Sequence, residues 1–451
     1  MNLTTLPLFE LTLLLPLVGA VAIAFVKATL TAARWCMSFS IGTFACALVA
    51  SFEFVGSTGS ETHLLDAFFL DRLSAPMLPM MAMLHLLTML GTSKSRVSIQ
   101  FCIQLLMATF VSLAIVTCHS IIGMCVLLMI EICLPTWDLA SRQQRLRGFL
   151  LYMLVFASLL LVGVLATVVQ SSEWAVGFVL LSLLLRGGIF PLHGWHPALV
   201  QGASFGTAIL FVLPLVEVVA AIRLVLPIAP IWMLQTASIA CLITAVYCGG
   251  LAIIQHDVRR FFAHLCLSQT SLVLFAVMLA TPSSLTAALC LWISSMIALT
   301  GLGFSIRALE ARFGELSLRQ HHGYYEQVPG LAVCFFVTGL AAVGFPGTVG
   351  FIPMELLISG SMDQGLGISV TLAVAAMFNG LAIMRAYFAL FTGKRPTTSI
   401  SLQVTSIERV AIVTVALLVF LGGWFSPSVV ESRHRVAEEL LKDHSKSDNF
   451  R

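Results

Sequence analysis

The stretch LSLLLRGGIFPLHGWHPALVQ, residues Leu181–Gln201, sets a charge and a helix break inside an apolar run. Its first half is apolar enough for lipid or a deep core, yet it carries Arg186 and is broken by two glycines and Pro191. Irregular backbone at membrane depth is tolerated only where protein or water surrounds it, and an intramembrane charge is a functional-site candidate. The polar aromatic tail HGWHP is typical of a specific junction. The alternative is a span that ends early, with Arg186 extending to the surface.

The composition indicates a polytopic membrane protein. Apolar residues make up 59% of 451 positions and charged residues only 10%, against roughly 25% in an average soluble domain. The formal charge of +3 is spread over many loops, so no nucleic-acid surface is predicted. The first span lacks a basic segment and a cleavage site, so we expect it to be retained. The eleven cysteines stand singly, without C-x-x-C spacing, and predict neither disulfides nor an iron–sulfur site.

Hydrophobic runs of about 20 residues, the length that crosses roughly 30 Å of hydrocarbon, recur along the whole chain. They predict an all-α fold with about fourteen transmembrane helices. The two longest runs, the seventh and the twelfth, are interrupted by Gly and Pro, and we expect a broken helix in each. The predicted spans are residues 6–27, 35–55, 68–91, 97–118, 119–137, 148–170, 174–200, 205–227, 230–254, 260–281, 284–306, 328–361, 366–392 and 408–427.

The basic residues of the loops between these runs fall in alternate loops, as the positive-inside rule requires. This alternation predicts a multi-pass protein of the plasma membrane, with loops 138–147 and 307–327 in the cytoplasm and both termini outside it. The tail 431–451 departs from the pattern, and either an amphipathic surface segment or disorder accounts for it. The alternating basic residues are Lys27, Arg34, Lys94, Arg96, Arg142, Arg145, Arg147, Arg259, Arg260, Arg307, Arg312, Arg319, Lys394, Arg395 and Arg409.

Two groups of five spans have the same internal order. Spans four to eight and nine to thirteen each place an interrupted helix fourth. Because an odd number of spans reverses orientation, they predict two inverted repeats, an arrangement that many transporters use. We therefore divide the chain into an N-terminal three-helix segment (1–96), a first repeat (97–227), a second repeat (228–392) and a last helix with a polar tail (393–451).

Four charged residues lie inside predicted spans. Glu131 is near the middle of the fifth span and Glu217 near the middle of the eighth, while Glu355 follows the break in the twelfth and Arg385 lies in the thirteenth. Each would destabilise insertion by about 2.5–3.5 kcal/mol if it faced lipid, so we expect these side chains to face the bundle interior and find partners. Several charges beside two broken helices favour a polar path through the membrane, and structural ion pairs are the alternative.

Several motifs, taken in order, resemble one known family. They are LDRLSAP at 70–76, Glu131 followed by Pro135, RGGIFPLHGWHP at 186–197, QHDVRRFFAH at 255–264, GFPGTVGFIPME at 344–355 and MRAYF at 384–388. The chain is similar over about residues 60–395 to the antiporter-like proton-translocating subunits of respiratory complex I. That family includes Mrp-type antiporters, membrane-bound hydrogenases and the membrane subunit of inorganic-carbon accumulation complexes.

The resemblance implies a proton path along the membrane mid-plane. The family uses a glutamate in span five, lysines in spans seven and eight, a histidine in span eleven and a lysine or glutamate in span twelve. Carried over by motif, these positions are Glu131, Arg186, Glu217, Ser295 and Glu355 in this sequence. The same motifs imply supporting roles for Asp71, His193 and Arg385.

Three of these positions depart from the family pattern, and the departures change the chemistry. A lysine in a dry interior can release its proton, whereas an arginine effectively never does, so Arg186 can tune a neighbouring carboxylate but not relay a proton. A buried Glu217 prefers its neutral form and can exchange protons when water is near. Ser295 does not titrate at all. The sequence therefore predicts a carboxylate chain, Glu131, Glu217 and Glu355, tuned by Arg186.

The sequence is compatible with three functions. The first is a non-redox subunit of an NADH:quinone oxidoreductase-like translocase that moves protons or Na⁺. The second is the membrane subunit of an inorganic-carbon uptake complex, and the third is a scaffold that no longer conducts. All three imply a lipid bilayer and other membrane and peripheral subunits as partners. We expect no cofactor, and His193 with His196 lacks a third ligand for a metal.

Overall fold

The computed structural model describes residues 8–56, 62–64, 67–92, 97–144, 146–169, 173–393, 406–424 and 426–448. Several residues of the charge pattern lie outside this part of the chain, namely Lys94, Arg96, Arg145, Lys394 and Arg395. The described part is almost entirely helical, which agrees with the predicted all-α class.

The chain forms eighteen α-helices within the described ranges, joined by short turns. A π-helical turn, Ala221–Val225, follows the tenth helix, and 3₁₀ turns lie at Tyr324–Glu326 and Met362–Gln364. The helices are α1 (Leu8–Ala24), α2 (Thr29–Gly56), α3 (Met77–Leu90), α4 (Ile99–Thr117), α5 (Ile121–Ser141), α6 (Leu146–Val169), α7 (Glu173–Arg186), α8 (Trp195–Gly202), α9 (Phe205–Val212), α10 (Val216–Ala220), α11 (Ile231–Ile254), α12 (Val258–Met278), α13 (Pro282–Phe313), α14 (Pro329–Val343), α15 (Phe351–Ser361), α16 (Leu366–Phe391), α17 (Ser406–Trp424) and α18 (Ser426–Asp448).

Every predicted span contains a helix or a broken pair of helices. In the described ranges, nine helical segments are long and apolar enough to cross a membrane, or ten with the bent pair of α17 and α18. The other five predicted spans contain the shorter α1 and α3, the pairs α7 with α8 and α14 with α15, and α17. Both predicted breaks are present, between α7 and α8 and between α14 and α15.

The third predicted span began too early. Residues 68–70 form a strand, β2 (Phe68–Leu70), which pairs antiparallel with β1 (Thr62–Leu64) in a short hairpin. The chain then turns at Asp71, whose Oδ1 accepts a hydrogen bond from the Ser74 backbone N–H at 2.7 Å, and α3 starts only at Met77. An apolar run alone cannot separate a strand from a helix, which is why the sequence missed this hairpin.

The interior of the bundle is formed by α12 and α13. Every residue of α12 from Phe261 to Met278 is buried, as is every residue of α13 from Ser284 to Glu310. By contrast, α2, α6 and α16 expose long apolar side chains such as Phe52, Leu154 and Val370. The helices at the centre are buried and those at the rim expose apolar side chains. This arrangement suits a protein surrounded by lipid, because lipid requires an apolar outer surface at membrane depth.

The polar tail is helical through the described residues, which favours the amphipathic alternative over disorder. Helix α18 turns away from α17 by 71°. Arg433 is buried and donates to the backbone carbonyl of Arg72 at 2.9 Å, while Arg72 itself pairs with Glu439. The tail helix therefore lies against the turn that follows the β-hairpin.

Candidate functional site

The break after α7 is a stabilised junction. Gly188 adopts φ +69°, a left-handed conformation that suits glycine. The indole N–H of Trp195 donates to the carbonyl of Leu185 at 3.0 Å, and the backbone N–H of Phe190 donates to the Thr244 hydroxyl at 3.0 Å. These bonds satisfy backbone groups that the broken helix leaves free, as a membrane interior requires. The break therefore holds Arg186 at the end of α7 inside the protein.

Arg186 lies between two glutamates. Its Nη2 donates to Oε2 of Glu131 at 3.2 Å, and its Nη1 lies 3.7 Å from Oε2 of Glu217. All three residues are only 2% exposed. We refer to Glu131, Arg186 and Glu217 as the central cluster. The sequence predicted that Arg186 tunes a neighbouring carboxylate, and the structure places both Glu131 and Glu217 beside it.

Two further contacts fix the guanidinium. Nη2 also donates to the carbonyl of Phe211 at 2.9 Å, and the guanidinium carbon lies 3.9 Å from the centre of the Phe211 ring. An arginine offers five donors and a planar face that stacks on aromatic rings. Lysine has neither the forked set of donors nor a planar group, so these contacts favour arginine at this position.

Glu217 reaches the cluster because the eighth span is also broken. Helix α9 ends at Val212, Leu215 takes φ +49°, and α10 starts at Val216. The carbonyl of Pro214 accepts a hydrogen bond from the Trp292 indole N–H at 3.1 Å. The sequence prediction missed this third break, although Pro214 was its available signal. Because the break precedes Glu217 by only a few residues, it sets the direction in which this carboxyl points.

The charge of the central cluster does not balance when both carboxylates are ionised. Arg186 neutralises one of them, and an isolated charge is strongly disfavoured in a dry interior. The second carboxylate then needs a proton, a cation or water.

Two of the predicted site residues lie elsewhere. Glu355 is on the exposed side of α15, so it does not join the central cluster. Arg385 donates from α16 to the carbonyl of Gln255 at 3.0 Å and to that of Ile253. These carbonyls lie at the end of α11, where an arginine satisfies groups that have no helical donor. Arg385 therefore stabilises a helix end, and Glu217 has Arg186 as its neighbour.

Asp71 belongs to a second ionic cluster near the hairpin. Its Oδ2 lies 3.1 Å from Nη2 of Arg223 and 3.0 Å from Nε2 of His119. Arg223 also donates to the carbonyls of Val116 and Cys118 at 2.8 and 3.0 Å. These contacts join the hairpin, the end of α4 and the π-helical turn after α10. Asp71 thus connects the hairpin to the end of α4 and to the π-helical turn.

The second half of the chain has neutral polar groups where the first half has charges. Gln269 on α12 donates to the carbonyl of Ala342 at 2.8 Å, and its Oε1 accepts from Ser295 at 3.2 Å. Asn379 on α16 donates to Ser268 at 2.9 Å. The Ala342 carbonyl lies at the end of α14, so Gln269 stabilises the second predicted break. Ser295 contacts this amide network, which the sequence analysis did not identify.

His193 is half-buried at the junction. Its ring centre is 5.4 Å from that of Tyr247 and 5.8 Å from that of Phe190. In the residues that the structure describes, no group of three His, Cys, Asp or Glu side chains is placed to hold a metal ion. His193 therefore packs against aromatic rings at the helix break.

A family model described as "NADH:quinone oxidoreductase/Mrp antiporter, TM" matches residues 140–379, which is 240 of the 451 residues and includes Arg186, Glu217 and Glu355. This chain belongs to that family. It is 28% identical over 242 residues to NADH-ubiquinone oxidoreductase chain 5 of Pelomedusa subrufa, covering 51% of this chain and 39% of that one. It is 25% identical over 262 residues to F(420)H(2) dehydrogenase subunit M of Methanosarcina mazei, covering 56% and 52%. The matched region thus spans about half or less of these relatives.

Solved structures share the fold over nearly the whole chain. A chain of respiratory complex I from Thermus thermophilus superposes with a TM-score of 0.87 at 21% identity, covering 97% of this chain and 99% of that one. A chain of the Mrp complex from Dietzia sp. superposes with a TM-score of 0.86 at 18% identity, covering 98% and 99%. The protein is therefore a membrane-embedded, antiporter-like subunit in fold.

Proposed function

We propose that this antiporter-like subunit translocates protons, or Na⁺, within a multi-subunit membrane complex of the complex I or Mrp type. The observation that carries the proposal is the central cluster, where one permanent cation lies between two buried carboxylates beside two helix breaks. Such a cluster holds one exchangeable proton. In this proposal the driving reaction or ion gradient comes from other parts of the complex.

The partner surface is expected around Glu355. A charged side chain that faces lipid is disfavoured by about 2.5–3.5 kcal/mol, yet Glu355 is exposed on α15 just after the second break. A neighbouring membrane subunit with a complementary polar group would remove this penalty. We therefore place Glu355 at a contact between subunits, where it would receive or deliver the translocated ion.

The fine membrane topology is also part of the proposal. We infer fourteen crossings in a plasma membrane, both termini outside the cytoplasm, and inverted repeats at 97–227 and 228–392 between flanking segments 1–96 and 393–451. Support for the repeats comes from the two broken pairs, α7 with α8 and α14 with α15, which are each the fourth span of a group of five.

This topology predicts the side from which Gln144 can be labelled. Gln144 is exposed in the turn between α5 and α6, and in the proposed orientation that turn faces the cytoplasm. In intact cells, Gln144→Cys should stay unmodified by a membrane-impermeant thiol reagent and react only after permeabilisation. Modification in intact cells would overturn the proposed orientation.

The alternative of a non-conducting scaffold has one observation in its favour. Ser295 and Gln269 form a neutral network in the second half, which suits a scaffold that does not conduct. The inorganic-carbon alternative is not favoured, since the relatives described above belong to respiratory and Mrp-type complexes.

Two measurements on the native assembly test the proposed function. Subunits that co-purify with this chain in mild detergent should include membrane partners and a peripheral subunit that drives transport. The reconstituted complex should then acidify or alkalinise proteoliposomes when it is driven. A complex that turns over without moving protons or Na⁺ through this subunit would support the scaffold instead.

A further inference from the structure

A small cavity lies beside Glu131, and its lining combines apolar side chains with four polar ones. It lies between α4, α5 and α9, and the polar side chains that line it are Gln104, Ser112, Glu131 and Thr207. Its volume is about 10 Å³, close to the roughly 10–15 Å³ that a single ordered water needs. The cavity adjoins the ion pair because Phe211, whose carbonyl binds Arg186, also lines it.

Two buried polar atoms of this lining have no partner among the described residues. They are Oε1 of Glu131 and Nε2 of Gln104, in side chains of residues that are 2% and 3% exposed. One atom accepts hydrogen bonds and the other donates them. A buried polar atom without a partner destabilises a protein because it loses the hydrogen bonds that it makes to water in the unfolded chain. Both atoms therefore require a group that can accept from one and donate to the other.

Water meets this requirement. We propose that the cavity binds an ordered water that accepts a hydrogen bond from Gln104 and donates one to Glu131, so that Gln104 is a positioning residue for the central cluster. Buried waters typically make about three hydrogen bonds, and the hydroxyls of Ser112 and Thr207 lie in the same lining for the third.

This site has a consequence for the cluster. Arg186 binds Oε2 of Glu131, and the water binds Oε1, so the carboxyl is held at both oxygens. Only the water side can exchange a proton, because arginine does not release one. The consequence for transport rests on the proposed function, whereas the water site itself does not.

High-resolution cryo-electron microscopy of the intact complex tests the water site directly. We expect density between Gln104 and Glu131, and we expect it to disappear in Gln104→Leu, which keeps bulk but has no polar atom. A map that resolves other buried waters and leaves this cavity without density would overturn the proposal. The result is independent of whether the complex conducts.

Transport measurements then test the positioning role. Proton flux should fall up to about tenfold in Gln104→Leu, the upper end of what one neutral hydrogen bond contributes. It should recover in part in Gln104→Asn, which keeps the amide on a shorter side chain. The matched control is Gln100→Leu, one helical turn earlier on α4, where the amide also lacks a partner but does not line the cavity. Equal flux in Gln104→Leu and Gln100→Leu would contradict the positioning role.

Discussion

Replacing Arg186 by Gln is expected to impair assembly of the complex more than replacing Arg186 and Glu131 together. The single substitution removes the cation that contacts both buried carboxylates, Glu131 and Glu217. Breaking such a pair typically destabilises a protein by about 3–5 kcal/mol. The double substitution removes one of these carboxylates as well. The yield of assembled complex and its midpoint of thermal unfolding would measure the difference.

A double-mutant cycle gives this prediction its control. The coupling of Arg186 to Glu131 should exceed its coupling to Glu217, because the first contact is a hydrogen bond at 3.2 Å and the second is an ion pair at 3.7 Å. The control cycle combines Arg186→Gln with Glu217→Gln, so it involves the same cation and the same type of substitution. If Glu131→Gln with Arg186→Gln assembles no better than Arg186→Gln alone, the pair is not energetically coupled.

Replacing Glu217 by Gln is expected to stop most proton translocation without preventing assembly. Glutamine keeps the shape of the side chain but cannot ionise, and loss of a positioned proton-transfer group lowers rates by roughly a hundredfold or more. Glu217→Lys restores the residue type that the family uses at this position, and a buried lysine can release its proton. Translocation should therefore survive at least partly in Glu217→Lys, as proton flux in proteoliposomes would show.

The control for this prediction is Glu173→Gln. Glu173 carries the same carboxyl at the exposed start of α7, outside the central cluster, and its substitution should leave flux unchanged. Normal flux in Glu217→Gln within a fully assembled complex would show that Glu217 is only a fixed counter-ion for Arg186.

Hydrophobic length and loop charge predicted most of the helical architecture. Apolar runs located the helices because lipid demands about 20 apolar residues per crossing, and glycine with proline located the two long breaks. The hairpin at Thr62–Leu64 and Phe68–Leu70 escaped because its strands are only three residues long. Such short apolar segments carry no periodicity that separates strand from helix.

The central cluster was only partly predictable. That Glu131 would face the interior and find a partner followed from the destabilisation caused by an unpaired buried charge. The position of Glu217 depends on the left-handed turn at Leu215, which sequence alone does not specify for a leucine. The outward position of Glu355 was missed for a different reason, since a charge on a membrane helix is expected to face the interior unless another subunit covers it.

The number of protons moved per turnover of the driving reaction tests the central claim most directly. It should be compared between the wild-type complex and a fully assembled complex in which this chain carries Glu131→Gln and Glu217→Gln together. We predict a lower number in the variant, by the share that passes through this subunit, with the driving reaction still active. An unchanged number would contradict the assignment of proton transfer to the central cluster.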